Sequence, residues 1–299
     1  MLIMSYVTAN GIQIEYETFG DKNDSPILLI VGIISQLIMW DDLLCEKLAN
    51  AGHYVIRFDN RDVGLSTKFE SAGTPDLAKA FSNLMQGKPI SAPYTFSDMS
   101  NDTVGLMDAL GISKAHVCGM SMGAGIAQTI AIEHPDRLLS LISIYGSTGN
   151  PQLPKAKPEA FQSLIAPFPK EKEAVIERVV DTYLFFAGSG FSFDKEWHDN
   201  LARRSYDRGL SPGSLNRQLL AGLGLNRKPA LANIKVPTLV IHGTEDPIMP
   251  VEGGKDTAET IPNSELMLIE GMGHDLPKLG GAWDQITDRI IKFCSNIEH

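Results

Sequence analysis

A serine stands between two closely spaced glycines in the segment GMSMG, residues 119–123. An apolar run, Ala115–Met120, leads into this segment, and an alanine- and isoleucine-rich run follows it. Glycines two positions either side of a residue permit a strand-to-helix turn tight enough to present that residue above the edge of a sheet. Ser121 is therefore a candidate nucleophile for acyl transfer. The simpler alternative is a serine that only caps the following helix.

A serine nucleophile needs a base at neutral pH, and His274 is the best placed of the seven histidines. It stands in the glycine-rich loop EGMGHDLP, directly after the last predicted strand. Of the others, His53 and His116 fall at strand starts, His134 at a helix end and His198 in a long helical segment. His242 ends a strand and His299 is the last residue. We predict that His274 is the general base and that His242 is a packed, hydrogen-bonded side chain.

The base needs a carboxylate to orient it, and the segment VIHGTEDPIMP places Asp246 a few residues after a strand end. The alternative location, after the strand that ends near Tyr145, reads GSTGNP and contains no carboxylate. Asp275 is too close in sequence to His274 to orient its ring easily, and Glu245 is expected to point elsewhere. We predict Asp246 as the orienting acid. The chain order serine, aspartate, histidine is typical of sites built on such a turn.

Acyl transfer also needs N–H donors for the tetrahedral oxyanion. One predicted donor is the backbone N–H of Met122, directly after the serine. The other is expected in the loop after the first central strand, where the sequence reads LLIVGIISQLIMW. We assign it to Ile33, which follows Gly32.

The elements around these residues alternate between strands and helices. YVTANGIQIEYETFG predicts two strands joined at Asn10-Gly11, a strong hairpin signal. Near-continuous apolar runs, typical of strands buried on both faces, occupy residues 25–32, 53–59, 115–120, 138–145, 235–243 and 264–271. Helical patterns lie between most of them. Strands that alternate with helices imply crossovers and a mostly parallel sheet, with the hairpin as an antiparallel edge.

The alternation is interrupted between the strand near residue 145 and the strand that begins near residue 235. The intervening residues carry helical patterns and proline-rich stretches but no convincing strand. We predict a division into an α/β core, residues 1–148 and 233–299, and a helical lid, residues 149–232, that covers the strand ends.

The charge composition disfavours some classes of binding partner. The 299 residues include 36 acidic and 26 basic side chains, for a net charge of -10, which disfavours binding to nucleic acid or to an anionic membrane. The N-terminal stretch MLIMSYVTANG has no basic leader or cleavage site, and no run is long enough for a membrane span. Cys45, Cys118 and Cys294 are far apart, without metal-type spacing. We expect a cytoplasmic protein with free thiols and no metal or other cofactor.

With these motifs, the sequence resembles the α/β-hydrolase superfamily over nearly its whole length. DNRDVGLS, Asp59–Ser66, resembles the superfamily segment Asp-x-Arg-Gly-x-Gly-x-Ser, with Asp62 where glycine is usual. This form, together with GMSMGA, GSGFSFD, EDPIMP and GMGHDLP, is similar to the aclacinomycin methylesterase group. One departure is the oxyanion loop, where many members carry His-Gly and this chain has Val31-Gly32.

The resemblance implies an eight-stranded α/β-hydrolase fold with a helical lid inserted after the sixth strand. It also implies cleavage of a methyl ester on a polyketide-derived ring without a cofactor. By motif, Ser121, Asp246 and His274 match the family's catalytic triad, and Met122 with Ile33 match its oxyanion positions.

Our leading interpretation is a serine hydrolase that cleaves a small-molecule carboxylic ester through an acyl-enzyme, as a monomer or a homodimer. A lactonase, thioesterase or C–C bond hydrolase would use the same triad, and a perhydrolase or acyltransferase would change only the attacking species. Haloalkane dehalogenases and epoxide hydrolases need an aspartate in place of Ser121. A non-catalytic binding protein on this scaffold is the alternative from another class.

An aminopeptidase is a further alternative, because it would want carboxylates in the lid to hold the substrate amine. The candidates are Glu171, Glu173, Glu177 and Asp181. Their helical spacing favours a solvated helix face instead.

Overall fold

The strands form one mostly parallel sheet in the computed structural model, which describes residues 5–211 and 213–297. His299 and the first four residues of the N-terminal stretch lie outside these ranges. The described strands are β1 (Ser5–Ala9), β2 (Ile12–Phe19), β3 (Ser25–Ile30), β4 (His53–Phe58), β5 (Ala115–Met120), β6 (Leu138–Ile144), β7 (Thr238–Gly243) and β8 (Glu265–Ile269). Their order across the sheet is β1-β2-β4-β3-β5-β6-β7-β8.

The described α-helices are α1 (Asp42–Asn50), α2 (Leu77–Met85), α3 (Phe96–Ala109), α4 (Met122–Glu133), α5 (Pro158–Ile165), α6 (Lys172–Phe186), α7 (Lys195–Asp207), α8 (Ser214–Gly222), α9 (Lys228–Leu231), α10 (Val251–Thr260) and α11 (Ala282–Ser295), and α11 follows the last strand. Helices α5 to α9 lie between β6 and β7, and we call residues 149–232 the inserted segment. None of the described helices is both long enough and apolar enough to cross a bilayer.

The N-terminal hairpin forms the antiparallel edge that the sequence predicts. Strand β2 runs antiparallel to both β1 and β4, and the remaining neighbouring pairs are parallel. Asn10 and Gly11 at the turn have φ values of 47° and 78°. Two consecutive positive φ values give the turn a twist that matches the strands, and asparagine followed by glycine tolerates them best.

The central strands are buried on both faces, as their continuous apolar runs predict. Every residue of β5 is buried, and apolar helices cover the sheet on each side. One apolar cluster packs Leu29 with α1 and α11, and the other packs Leu28 with α3 and α4. The free cysteines Cys45, Cys118 and Cys294 all lie buried in the first cluster. The sheet is therefore a rigid support for the loops at its carboxyl edge.

Buried ion pairs fasten the inserted segment to the sheet. The Nη2 atom of Arg208 lies 2.7 Å from carboxylate oxygens of both Glu15 and Asp59. Arg217 on α8 donates to both carboxylate oxygens of Asp62, at 2.5 and 2.8 Å. Removal of one partner from such a buried pair typically costs about 3–5 kcal/mol, because the other charge is left uncompensated.

The pair with Arg217 gives a physical reason for aspartate at position 62, where the resembled family segment has glycine. Asp62 has a φ of 76°, a left-handed conformation that glycine adopts most easily. Its carboxylate also accepts a hydrogen bond of 2.8 Å from the Tyr94 hydroxyl. The strained backbone is thus offset by contacts that only an acidic side chain makes here.

Candidate active site

Ser121 occupies a sharp turn between β5 and α4, with φ 56° and ψ -120°. A Cβ atom at position 119 would lie 2.1 Å from the carbonyl oxygen of Gly123. A Cβ atom at position 123 would lie 2.4 Å from the carbonyl oxygen of Ile30. Only glycine fits at either position, and the two glycines hold the serine in a conformation that non-glycine residues rarely adopt. The serine side chain is partly exposed at this turn.

His274 lies within hydrogen-bond distance of both other predicted triad members. Its Nε2 atom is 2.8 Å from the Ser121 Oγ atom, and its Nδ1 atom is 2.6 Å from the Asp246 Oδ2 atom. When the carboxylate is ionised, Nδ1–H donates to Asp246, so that Nε2 accepts from the serine hydroxyl. The residues that the sequence singled out from three distant segments therefore form one hydrogen-bonded chain.

The loop that carries His274 is held by the end of α6. The backbone N–H of His274 donates to the carbonyl oxygen of Phe186 at 2.8 Å. A Cβ atom at position 273 would lie 2.0 Å from that same oxygen, so this close approach requires Gly273. The rings of Phe186 and Tyr145 pack against the imidazole, with centroids 6.0 and 4.5 Å from it. The inserted segment thus contributes directly to the position of the histidine.

Asp246 is buried and both of its carboxylate oxygens are engaged. Its Oδ1 atom accepts from the backbone N–H groups of Ile248 and Met249 at 2.9 and 2.8 Å, which leaves Oδ2 for the histidine. His242 lies nearby, with Nε2 2.7 Å from the Met249 carbonyl oxygen, and burial lowers its pKa. His242 is therefore a packed, neutral donor to the backbone, in agreement with its prediction. The adjacent Glu245 turns away and accepts two hydrogen bonds from Ser189.

The predicted oxyanion donors lie beside the serine. Met122 is the first residue of α4, where an N–H group has no acceptor within the helix and the helix dipole favours negative charge. Ile33 lines the same cavity as Ser121. A Cβ atom at position 32 would lie 3.3 Å from the Ser121 Cβ atom, so the loop after β3 approaches the serine closely.

Gln218 is a residue that sequence reasoning missed. From α8 its Oε1 atom accepts the backbone N–H of Ile34 at 2.7 Å, and its Nε2 atom donates to the carbonyl oxygen of Arg61 at 3.1 Å. Ile34 has a φ of 51°, an unusual value for a β-branched residue. The glutamine thus braces the loop that carries Ile33 in a strained conformation. No local pattern marks it, because its partner lies 184 residues away in sequence.

An apolar cavity of about 700 Å³, including its mouth, opens at the serine. The loop after β3 forms one wall with Ile33, and α6 forms another with Val179 and Phe186. Apolar walls of this kind suit a small organic molecule. None of the described residues form a group of three or more His, Cys, Asp or Glu side chains placed to hold a metal ion.

Asp275, beside His274, is a buried carboxyl group whose Oδ1 atom has no hydrogen-bond partner among the described residues. Desolvation raises its pKa from 3.8 to about 7, opposed by the His274 ring and reinforced by the Asp246 charge. The folded protein therefore holds this proton more tightly than the unfolded chain does. The corresponding stability is present below pH 4 and is lost as the pH rises toward 7.

We expect Asp275→Asn to remove this pH dependence. Between pH 5 and pH 8 the wild type should lose stability relative to the variant. The difference between their free energies of unfolding, variant minus wild type, should therefore rise by a few kcal/mol, since each pKa unit corresponds to about 1.4 kcal/mol. Urea unfolding of both proteins at the two pH values measures this change. A cost of the amide that does not depend on pH is the same at both pH values and drops out of the comparison. Asp108→Asn, at an exposed surface pair with Arg137, is the control and should show no such rise. Parallel behaviour of the two variants would contradict the prediction.

Comparison with known proteins agrees with this architecture. Rhodomycin D methylesterase DauP of Streptomyces sp. (strain C5) is 29% identical over 294 residues, which span 91% of this chain and 92% of that protein. Rhodomycin D methylesterase DnrP of Streptomyces peucetius is 27% identical over the same shares of the two chains. Relatives of these kinds support hydrolase activity.

Solved structures show the same fold. A meta-cleavage product hydrolase from Pseudomonas fluorescens IP01, in a mutant form with acetates bound, superposes with a TM-score of 0.75 at 21% identity, covering 98% of this chain and 97% of that one. The enol-lactonase from Burkholderia xenovorans LB400 gives a TM-score of 0.72 at 21% identity over 97% of this chain and 100% of its own. The family model for the alpha/beta hydrolase fold matches residues 25–280, and the chain therefore belongs to the α/β-hydrolase family.

Proposed function

We propose that this protein is a serine hydrolase that cleaves carboxylic esters through an acyl-enzyme intermediate. The observation that carries the proposal is the continuous hydrogen-bonded chain from Ser121 through His274 to Asp246 at an apolar cavity. A serine becomes a nucleophile at neutral pH when a base accepts its proton and a carboxylate holds that base in the correct tautomer.

In the first half-reaction, Ser121 Oγ attacks the ester carbonyl carbon while His274 Nε2 takes the hydroxyl proton. The Asp246 carboxylate stabilises the imidazolium, and the N–H groups of Met122 and Ile33 donate to the oxyanion. Two such donors contribute about 3 kcal/mol each in comparable sites. The tetrahedral intermediate then collapses, and the leaving alcohol takes the proton from His274.

In the second half-reaction, His274 removes a proton from water, and the resulting hydroxide attacks the acyl-enzyme. Collapse of this intermediate returns the proton to Ser121 and releases the acid. Each step moves a proton or an acyl group, so the proposed reaction requires neither a metal ion nor a redox cofactor.

We assign residues 1–148 and 233–299 to the catalytic core and the inserted segment, residues 149–232, to a lid. The support is that α6 forms a wall of the cavity and its end binds the backbone of His274. The ion pairs from Arg208 and Arg217 would keep the lid seated over the carboxyl edge of the sheet.

A methyl ester of a hydrophobic small molecule is the substrate that we propose. Two relatives named as methylesterases align with nine-tenths of the chain. The cavity walls beside Ser121 are mostly apolar, which suits a hydrophobic acyl group. Methanol is a small leaving group and needs no pocket of its own.

Hydrolysis of p-nitrophenyl acetate, butyrate and decanoate tests the chemistry, together with labelling by a fluorophosphonate probe. We expect a burst of nitrophenol, and one probe molecule on the peptide that contains Ser121. The chain-length profile then measures the cavity. Absence of both turnover and labelling would overturn the proposal and leave a non-catalytic binding protein as the interpretation.

A lactonase, thioesterase or C–C bond hydrolase would also label at the serine, because all use the same triad. Lactone, thioester and C–C substrates assayed beside methyl esters separate these reactions. If one of those substrate classes gave a higher kcat/KM than every methyl ester, the proposed triad would stand, and the assignment as a carboxylic ester hydrolase would be replaced by that class of reaction.

A further inference from the structure

Arg178 lies in the wall of the mostly apolar cavity, and it also lines an open surface groove together with Glu177 and Asp181. Among the described residues that line the cavity, Arg178 is the only arginine, lysine, aspartate or glutamate. It lies on α6, on the same helix face as Val179 and Phe186 of the cavity wall. Glu177 and Asp181, its acidic neighbours in sequence, are exposed.

No carboxylate among the described residues forms an ion pair with Arg178. The other arginines of the inserted segment illustrate the contrast, since Arg217 binds Asp62 and Arg203 binds Glu173 and Asp199. Burial alone lowers the pKa of Arg178, with no opposing charge to raise it. A half-buried guanidinium without a counter-ion is costly for the free protein, and an anionic ligand would remove that cost.

The guanidinium is held in place without being saturated. It stacks on the Phe168 ring, with its central carbon 3.9 Å from the ring centroid. Its Nη2 atom makes two long contacts, of 3.4 and 3.2 Å, to the carbonyl oxygens of Ser163 and Leu164. The Nε atom is buried and has no hydrogen-bond partner among the described residues. A planar donor that is fixed by stacking and makes only long contacts through Nη2 suits an incoming oxygen ligand.

We propose that Arg178 binds a carboxylate on the substrate, so that the preferred substrates are esters that carry a second, free acid group. This inference rests on the proposed ester hydrolysis and names its substrate class. A single carboxylate fits better than a phosphate dianion, because one guanidinium in an apolar cavity balances one negative charge. Arg178 would then be a specificity residue that holds the far end of the molecule whose ester group lies at Ser121.

A purely structural role is the competing explanation, since Nη2 contacts the end of α5. The two roles differ in what they change. A structural role affects all substrates together, whereas carboxylate binding affects only acidic substrates. The variants Arg178→Met and Arg178→Lys separate them, because methionine keeps an extended apolar stem and lysine keeps the charge.

The first measurement is binding to Ser121→Ala by calorimetry, which does not depend on turnover. The probes are the monomethyl esters of succinate, glutarate, adipate and pimelate, each beside its dimethyl ester. We expect one chain length for which the monomethyl ester binds roughly 10–100-fold more tightly than its dimethyl counterpart, the value of a charge-assisted hydrogen bond. The best chain length reports the reach from Ser121 to Arg178.

Adding Arg178→Met should abolish this preference, and Arg178→Lys should retain part of it. Arg203→Met is the matched control, since it removes a positive charge from the inserted segment at a partly exposed surface pair. It should leave the preference unchanged. Equal binding of both esters to Ser121→Ala, or a preference that survives Arg178→Met, would overturn the proposal.

Turnover by the enzyme with Ser121 intact gives the second measurement. Arg178→Met should raise KM for the preferred monomethyl ester far more than KM for its dimethyl ester, so that the ratio of the two kcat/KM values falls. An equal loss on both esters would indicate the structural role and overturn the proposal. If neutral esters were hydrolysed as well as acidic ones, the role of Arg178 would be overturned and ester hydrolysis would stand. If acidic esters bound selectively but were not hydrolysed, ester hydrolysis would be overturned and carboxylate binding by Arg178 would stand.

Discussion

Replacement of His274 by alanine should lower kcat for p-nitrophenyl butyrate by about 10⁶-fold. In the proposed mechanism the His274 ring, whose Nε2 atom lies 2.8 Å from the Ser121 Oγ atom, is the base, so its removal would take away the proton acceptor of the serine. The proposed oxyanion donors and the cavity would remain, so slow hydrolysis above the rate in water should persist. Steady-state kinetics on purified enzyme, with thermal unfolding to show that the fold is retained, measures the effect.

The double variant Ser121→Ala with His274→Ala should be no slower than either single variant. Members of a triad act as one unit, so their effects on kcat do not add. His134→Ala is the control, because this histidine lies at the end of α4 and its ring forms a hydrogen bond with the exposed residue Asn101. Multiplicative losses in the double variant, or a loss in the control, would contradict a shared mechanism.

The central strands could be predicted from the sequence because they are buried on both faces. A strand such as β5 is covered by helices on both faces, and this double burial demands the continuous apolar run that the sequence displays. The Asn10-Gly11 turn was predictable for a local reason, since its two positive φ values restrict the residue types. Each of these features is determined within a few residues of sequence.

The proximity of the candidate site residues could also be predicted from the sequence, although these residues are far apart along the chain. His274 lies 153 residues from Ser121 and 28 from Asp246. Each follows the carboxyl end of a parallel strand, and those ends share one edge of the sheet. Topology therefore brings together what the local motifs identify one at a time.

The contributions of the inserted segment were not predictable. Gln218 and Arg217 act on partners 184 and 155 residues away, through helix packing that no local pattern encodes. The acidic residues of α6 do form an exposed face, as their spacing predicts. Arg178 lies among them in sequence, and only the position of α6 beside the cavity shows that its side chain reaches the cavity wall.

Asp246→Asn should lower kcat by about 10⁴-fold while leaving the fold intact. In the native protein, Oδ1 accepts from the N–H groups of Ile248 and Met249, and Oδ2 faces His274 Nδ1. An asparagine keeps those two backbone bonds only if its oxygen takes the Oδ1 position, which places its NH₂ group against Nδ1. The amide then donates to Nδ1 and drives the ring proton to Nε2. A protonated Nε2 cannot accept the hydroxyl proton of Ser121, so the geometry survives and the chemistry fails.

The adjacent carboxylate provides the matched control for this change. Glu245→Gln alters one residue earlier in the same loop, where the side chain accepts from Ser189 instead of the histidine. It should leave kcat unchanged, and both variants should unfold close to the wild-type temperature. Equal kinetics for Asp246→Asn and wild type would exclude tautomer control by this carboxylate. A comparable loss in Glu245→Gln would instead attribute the effect to the shape of the loop, because the carboxylate of Glu245 accepts its hydrogen bonds from Ser189 and the two ring nitrogens of His274 face Asp246 and Ser121.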